Sequence, residues 1–174
     1  MRLEKFRFLS AIALFAVVWL TVRFPIEVQT AVGHFFGENH IDPATLHLNG
    51  EFVENNLGSA QESDGSVTVR MIAQQYVFVP QCVLVPAGVP VHFRITSADV
   101  AHELTVTGST DVLKALPGTV NTANFEFPSA GEFSMPCHEF CGSGHYAMRA
   151  KLVVVPREQF QRLQPDERIS CEPR

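Results

Sequence analysis

This chain is short of positive charge, has a single tryptophan and contains no repeated or low-complexity stretch. Thirteen Lys and Arg stand against 18 Asp and Glu, for a net charge of −5. Residues 45–155 hold ten acids and five bases, so a phosphate backbone would meet the wrong sign and nucleic acid is excluded as a partner. The same imbalance suits weak, charge-steered docking of a basic protein. With 174 residues, 46% of them hydrophobic, the chain is long enough for one compact domain and an appended segment, but not for two domains.

The tryptophan, Trp19, lies in the one long apolar run. Phe8–Val22 is fifteen residues without charge, Gly or Pro. Extended to Phe6 and Phe24, with Arg7 and Arg23 snorkelling outward, it would span about 28 Å as a helix, enough to cross a bilayer. A cleaved signal peptide has a similar basic start and apolar run, but no small-x-small cleavage pattern follows, and Arg23-Phe24-Pro25 makes a poor one. Residues 1–24 are therefore expected to form an uncleaved transmembrane anchor. Arg2, Lys5 and Arg7 precede the run and only Arg23 follows it before Arg70, which places the N-terminus in the cytoplasm and the rest of the chain outside. Trp19 then sits near the outer interface.

Residues 25–65 mix Pro, Gly, Asn and acids without sustained periodicity and are expected to form an extended linker, a tether or a segment lying on a partner. His34, His40 and His47 show no metal-ligand spacing and read as surface residues. From Val67 the pattern changes to short strands: Val67–Ile72, Tyr76–Val79, Val83–Val85, Val91–Thr96, Glu103–Thr107, Asn121–Phe127, Glu132–Met135 and Arg149–Val155. Turn signals such as Pro86-Ala-Gly88, Leu116-Pro-Gly118 and Pro128-Ser-Ala-Gly131 separate them. The fold expected for residues 66–156 is all-β, a cupredoxin-like Greek-key β-sandwich or barrel. Residues 157–174 form a tail, with a short amphipathic helix over 157–168 that puts Phe160 and Leu163 on one face.

The chemistry is concentrated in Cys137-His-Glu-Phe-Cys141-Gly-Ser-Gly-His145-Tyr-Ala-Met148. Two thiolates, an imidazole and a thioether are soft ligands and suit copper better than a hard cation. Cys141, His145 and Met148 would satisfy a single copper, which leaves Cys137 over. Two cysteines make sense if their sulfurs bridge two copper ions with one histidine on each, and His102, where a turn gives way to an alternating strand, can supply the second. Three other readings use some of the same residues: a Cys137–Cys141 disulfide, a tetrahedral zinc site that includes His102, and a one-copper centre. Cys82 and Cys171 lie outside the motif. They could pair as a disulfide in an exported domain or remain separate thiols.

Ser97-x-Asp99-Val-x-His102, Leu116-Pro-Gly118, Gly131 and Cys137-x-Glu139-x-Cys141-Gly142-x-x-His145-x-x-Met148 resemble subunit II of the heme-copper oxidases, in order from about Val67 to Val155. The resemblance implies a dinuclear copper centre, CuA, in which Cys137 and Cys141 bridge both metals and His102 and His145 are terminal ligands. Met148 and the backbone carbonyl of Glu139 would be weak ligands. It further implies an electron-relay subunit of a cytochrome c oxidase in a bacterial or archaeal cytoplasmic membrane, with the copper domain on the outer face. Such a subunit is fed by a soluble cytochrome c or a small copper protein and delivers to heme in subunit I, where oxygen is reduced. The Glu139 carboxylate would help to hold magnesium at the subunit I interface, and His138 could contact a partner.

A single helix is similar to the shorter B-family oxidases, in which an acidic residue before the helix, matched here by Glu4, helps to admit protons. The usual surface tryptophan for cytochrome c is missing; Tyr76, Phe78, Phe140 and Tyr146 are the aromatic residues that could replace it, with at least half of them expected in the core. Two further functions use the same copper: the CuA subunit of a nitric oxide reductase, and a stand-alone anchored copper-binding or delivery protein.

Overall fold

The computed structural model describes residues 40–163 and 168–171. The expected transmembrane anchor with Glu4 and Trp19, the linker up to residue 39 with His34, and residues 164–167 of the expected tail helix lie outside the described residues. Among those described, no helix is long and apolar enough to cross a membrane.

Among the described residues, ten strands form two main sheets and a small third one. The largest sheet runs β1 (Gly58–Gln61), β2 (Val67–Gln74), β5 (Pro90–Ser97), β8 (Asn121–Glu126), with β3 (Val77–Val79) also paired to β2. The second sheet runs β4 (Cys82–Pro86), β10 (Arg149–Val155), β9 (Gly131–Pro136), and β6 (His102–Thr105) pairs with β7 (Val112–Ala115). Two pairings are parallel, β2 with β5 and β4 with β10; the others are antiparallel. The chain therefore crosses between the sheets, and the result is the expected mostly-β sandwich.

The alternation that marks a strand explains both faces of β2. Val67, Val69, Met71 and Ala73 point into the main core with Val91, Phe93 and Ile95 of β5 and with Leu152 and Val154 of β10, and all are buried. Each such aliphatic or aromatic side chain contributes about 1.5–3 kcal/mol by leaving water. The opposite face of the same sheet is covered too. Ile72 packs with Leu46, Phe52, Leu57 and Val120 in a second apolar cluster.

That second cluster revises the linker boundary. The chain is compact from His40 onward, not from about residue 66. Short 3-10 turns at Pro43–Thr45 and Glu54–Asn56 lay residues 43–57 over the back of the sheet, which the chain then joins at its edge as β1. Their apolar residues follow neither helical nor strand spacing, which is why the sequence pattern missed them. Strands β1 and β7 were also unanticipated, β1 because Gly-Ser-Ala-Gln is short and largely polar. His40 and His47 are exposed, as expected.

Arg70 and Arg94 stand directly opposite each other in the β2–β5 register, where two like charges would repel. Glu51 lies between them. Arg94 donates to it through Nη2 at 2.6 Å and Nε at 2.7 Å, and Arg70 donates through Nε at 3.0 Å. Burial raises the carboxyl pKa of Glu51, but the hydrogen bonds and charges of Arg94 and Arg70 together outweigh it and hold the group below its ordinary 4.5.

The tail closes the side of the sandwich. The short helix α1 (Arg157–Leu163) buries Phe160 but leaves Leu163 46% exposed, so only one of the two expected contacts is made. Ile169 and Ser59 exchange both backbone hydrogen bonds at 2.9 Å, and two residues later Cys171 forms a disulfide with Cys82 at a Cα separation of 5.3 Å. The strap thus joins β1 of one sheet to β4 of the other. Of the two states left open for these cysteines, the structure has the bridge.

The disulfide closes a loop of 89 residues, and the measured gain from such bridges is typically 2–4 kcal/mol. Cys82→Ser should lower the thermal midpoint by several degrees, read by calorimetry, and leave the thiols of Cys137 and Cys141 untouched. The Glu51 contribution is fully present above pH 4.5, the unfolded value, and is lost as pH falls through the lower folded value. Glu51→Gln should therefore destabilise by about 2 kcal/mol at pH 7 and flatten the acid limb of a stability–pH curve, measurable by urea unfolding.

Candidate metal centre

One end of the sandwich gathers all six expected site residues. His102 is the first residue of β6, and β6 lies beside the end of β9, with Leu104 bridged to Cys137 and the His138 N–H donating to the Glu103 carbonyl at 2.6 Å. The loop from Cys137 to Met148 joins β9 to β10 and is closed at its base by the Cys137 N–H, which donates to the Met148 carbonyl at 3.0 Å. Two elements far apart in sequence are thereby fixed to one rigid frame.

The Cys137 and Cys141 sulfurs are 3.9 Å apart, and both are buried. A disulfide requires about 2.05 Å, so they are free thiols here. His102 Nδ1 lies 3.9 Å from the Cys137 sulfur and His145 Nδ1 lies 3.7 Å from the Cys141 sulfur, so each cysteine has its own imidazole. The Met148 sulfur is 3.6 Å from that of Cys141, and the Glu139 carbonyl oxygen is 3.3 Å from that of Cys137. The donor atoms of His102, Cys137 and Cys141 all fall within 4.8 Å of one another.

This donor set fits copper. One metal bound to both sulfurs at about 2.3 Å needs them no more than about 4.6 Å apart, and the observed separation meets that limit. Structural zinc sites draw on Cys, His and carboxylate, and a thioether beside the thiolate is instead the soft donor of copper sites. A single copper on Cys141, His145 and Met148 would leave the Cys137–His102 pair without a function.

Asp99 lies within the Ser97-x-Asp99-Val-x-His102 segment, where its spacing alone assigns it no role. Its Oδ1 lies 2.9 Å from His102 Nε2, and His102 is 1% exposed. The carboxylate therefore selects the tautomer with hydrogen on Nε2 and leaves the Nδ1 lone pair facing Cys137. Burial raises the pKa of Asp99, but hydrogen bonds from the Gln75 N–H, His102 and the Val100 N–H outweigh it and hold the carboxyl below its ordinary value. The available signal was its position three residues before a histidine, across a turn. Burial, followed by the neighbouring Cys137, pushes the Cys141 thiol up to about 11. Both cysteines must lose their protons to bind a metal, so uptake releases protons.

The aromatic candidates separate by exposure. Phe78 is fully buried, whereas Tyr76, Phe140 and Tyr146 are 40%, 68% and 85% exposed. The expectation that at least half are core residues is not met, since only Phe78 is buried: Phe140 and Tyr146 stand on the metal loop with their side chains turned outward, and Tyr76 lies in the exposed turn after β2. His145 lies between two of them, with its ring centroid 5.7 Å from Phe140 and 5.5 Å from Tyr146. His138 is exposed and sits 3.1 Å from the Glu103 carboxylate. The Glu139 side chain is exposed as well.

Known proteins are similar to this chain over the region that carries the site. The family described as cytochrome C oxidase subunit II, periplasmic domain, matches residues 62–155. A cytochrome c oxidase subunit 2 of Thermus thermophilus is 32% identical over 114 residues, covering 66% of this chain and 84% of that protein. A heme-copper oxidase subunit 2 of Aeropyrum pernix is 33% identical over 79 residues, covering 44% and 34%. The crystal structure of the periplasmic domain of subunit II of cytochrome oxidase from Bradyrhizobium japonicum superposes with a TM-score of 0.50 at 20% identity, covering 55% of this chain and 88% of that one. That likeness shows the cupredoxin-like fold.

Outer-shell partners of metal-bound histidines typically account for a factor of 10–100 in affinity. Asp99→Ala should weaken copper binding by about that factor in a competition titration with a chelator, while circular dichroism of the sheets stays unchanged.

Proposed function

The chain belongs to the cytochrome c oxidase subunit II family, and on that premise we propose that it is the electron-input subunit of a terminal oxidase, working through a dinuclear CuA centre. The observation that carries this reading is the pair of buried sulfurs 3.9 Å apart with one imidazole nitrogen beside each. His102, Cys137, Cys141 and His145 would hold two copper ions, with Met148 and the Glu139 carbonyl as weak outer donors. When bound, the copper pair supplies a one-electron carrier whose charge is spread over both metals and both sulfurs.

The chain's own residues make that carrier efficient. Asp99 orients His102, the Cys137–Met148 backbone bond closes the loop, and burial excludes water from the sulfurs. Little then moves when an electron arrives or leaves. The six protein donors would enclose the copper and leave no site for substrate, so the chain would relay electrons without reducing oxygen itself.

Phe140 and Tyr146 flank His145 at the surface and form an apolar landing site for a cytochrome c or a small copper protein, with the acidic domain steering a basic donor towards it. The electron leaves for heme in subunit I. Glu139 turns its carbonyl towards Cys137 and its carboxylate outward, an orientation suited to holding magnesium at the subunit I interface. The apolar run Phe8–Val22 anchors the chain as a single span with its N-terminus in the cytoplasm and this domain on the outer face.

Copper analysis with electron paramagnetic resonance on the purified full chain tests the proposal. Two coppers per chain and one unpaired electron split equally by both nuclei are expected, and Cys137→Ser should abolish that shared pattern. One copper with a single-nucleus spectrum in the unmodified chain would overturn the reading in favour of a blue-copper or delivery protein.

A further inference from the structure

Gln75 lies in the turn between β2 and β3 and belongs to none of the ligand motifs. Its backbone N–H donates to Asp99 Oδ2 at 2.7 Å, while the other oxygen of the same carboxylate is held by His102. Its side-chain Nε2 donates to the backbone carbonyl of Cys141. One residue is therefore bonded both to the group that orients His102 and to the peptide that carries Cys141.

The surroundings are shaped to permit this contact. Gly142 has φ +130°, a conformation L side chains rarely adopt, and a Cβ there would lie 2.9 Å from Gln75 Nε2 and 2.5 Å from Tyr76 Oη. A Cβ on Gly144 would come within 2.5 Å of the Tyr76 ring. The two glycines let the metal loop press against the Gln75–Tyr76 turn, and Tyr76 Oη meets Ser143 Oγ at 3.3 Å.

We propose that Gln75 is a positioning residue of the dithiolate centre, fixing the Cys141 half of the site relative to the His102 half. This rests on the dinuclear reading above. The Cys141 sulfur lies within 4 Å of those of Cys137 and Met148 and of His145 Nδ1, so its placement bears on three other donors. A hydrogen bond at its own carbonyl limits rotation of the peptide that aims that sulfur. Without the bond, the β9–β10 loop shifts relative to the β6 turn, and the two halves cease to be equivalent. An electron shared equally between them depends on that equivalence.

The test compares the unmodified full chain with Gln75→Leu and Gln75→Arg, each purified and loaded with copper. Leucine keeps the backbone N–H that serves Asp99 and removes only the side-chain donor. Arginine places an N–H the same number of bonds from Cα as Nε2 of glutamine. Gln75→Leu should retain two coppers but show unequal splitting by the two nuclei and lose copper to a chelator about tenfold faster. Gln75→Arg should restore both readings, and the melting temperatures of the copper-free chains should agree. Equal splitting and unchanged copper loss in Gln75→Leu would overturn the assignment, as would Gln75→Arg behaving like Gln75→Leu, or a changed melting temperature with an unchanged spectrum. A single copper in the unmodified chain would instead overturn the electron-relay reading, and this proposal with it.

Discussion

The parallel pairing of β2 with β5, from Val67 opposite Val91 to Ala73 opposite Ser97, is the constraint on which the rest of the domain depends. Its inner face supplies the apolar layer of the core. Its outer face sets Arg70 against Arg94, a repulsion that becomes an attachment once Glu51 lies between them. Its far end brings the turn after β2 beside the turn after β5, so that Gln75 and Asp99 meet. A register shift of one residue would turn every one of these side chains to the wrong face. Core, wrap and metal support therefore share one set of backbone hydrogen bonds.

The site balances two opposing demands. Burial protects the sulfurs from water and limits motion, but it also favours the protonated thiol, as the raised value of about 11 for Cys141 shows. Soft metal ions resolve the conflict by replacing the protons, and the imidazoles are already aimed at the sulfurs. Asp99 adds a negative charge behind His102 that a cationic centre would favour. The four cysteines are divided by position: Cys82 and Cys171 meet at the sheet edge as a disulfide, while Cys137 and Cys141 are held apart on a closed loop.

Much of this was legible in the chain because the rules that reveal it are local. Alternating apolar residues marked most strands within a residue or two, and the spacing of Cys137, Cys141, His145 and Met148 put four donors on one loop. His102 was found through the turn-to-strand change around it. The failures were equally systematic. Residues 40–57 cover a sheet with Leu46, Phe52 and Leu57 at positions that no helix or strand period generates. The Cys82–Cys171 bridge spans 89 residues, and Gln75 reaches Cys141 across 66, so neither has a signal in its neighbours.

The sequence by itself determined the donor chemistry, the strand pattern and the family, because ligand softness, side-chain alternation and motif spacing are properties of short segments. Only the tertiary structure decided which imbalances were neutralised and which groups met: Glu51 between two arginines, Asp99 behind a histidine, Gln75 on a cysteine carbonyl, and the tail across two sheet edges. The physical reason is that hydrogen bonds and ion pairs act over about 3 Å. Whether two distant residues come that close is set by sheet register and crossovers, which no local pattern encodes.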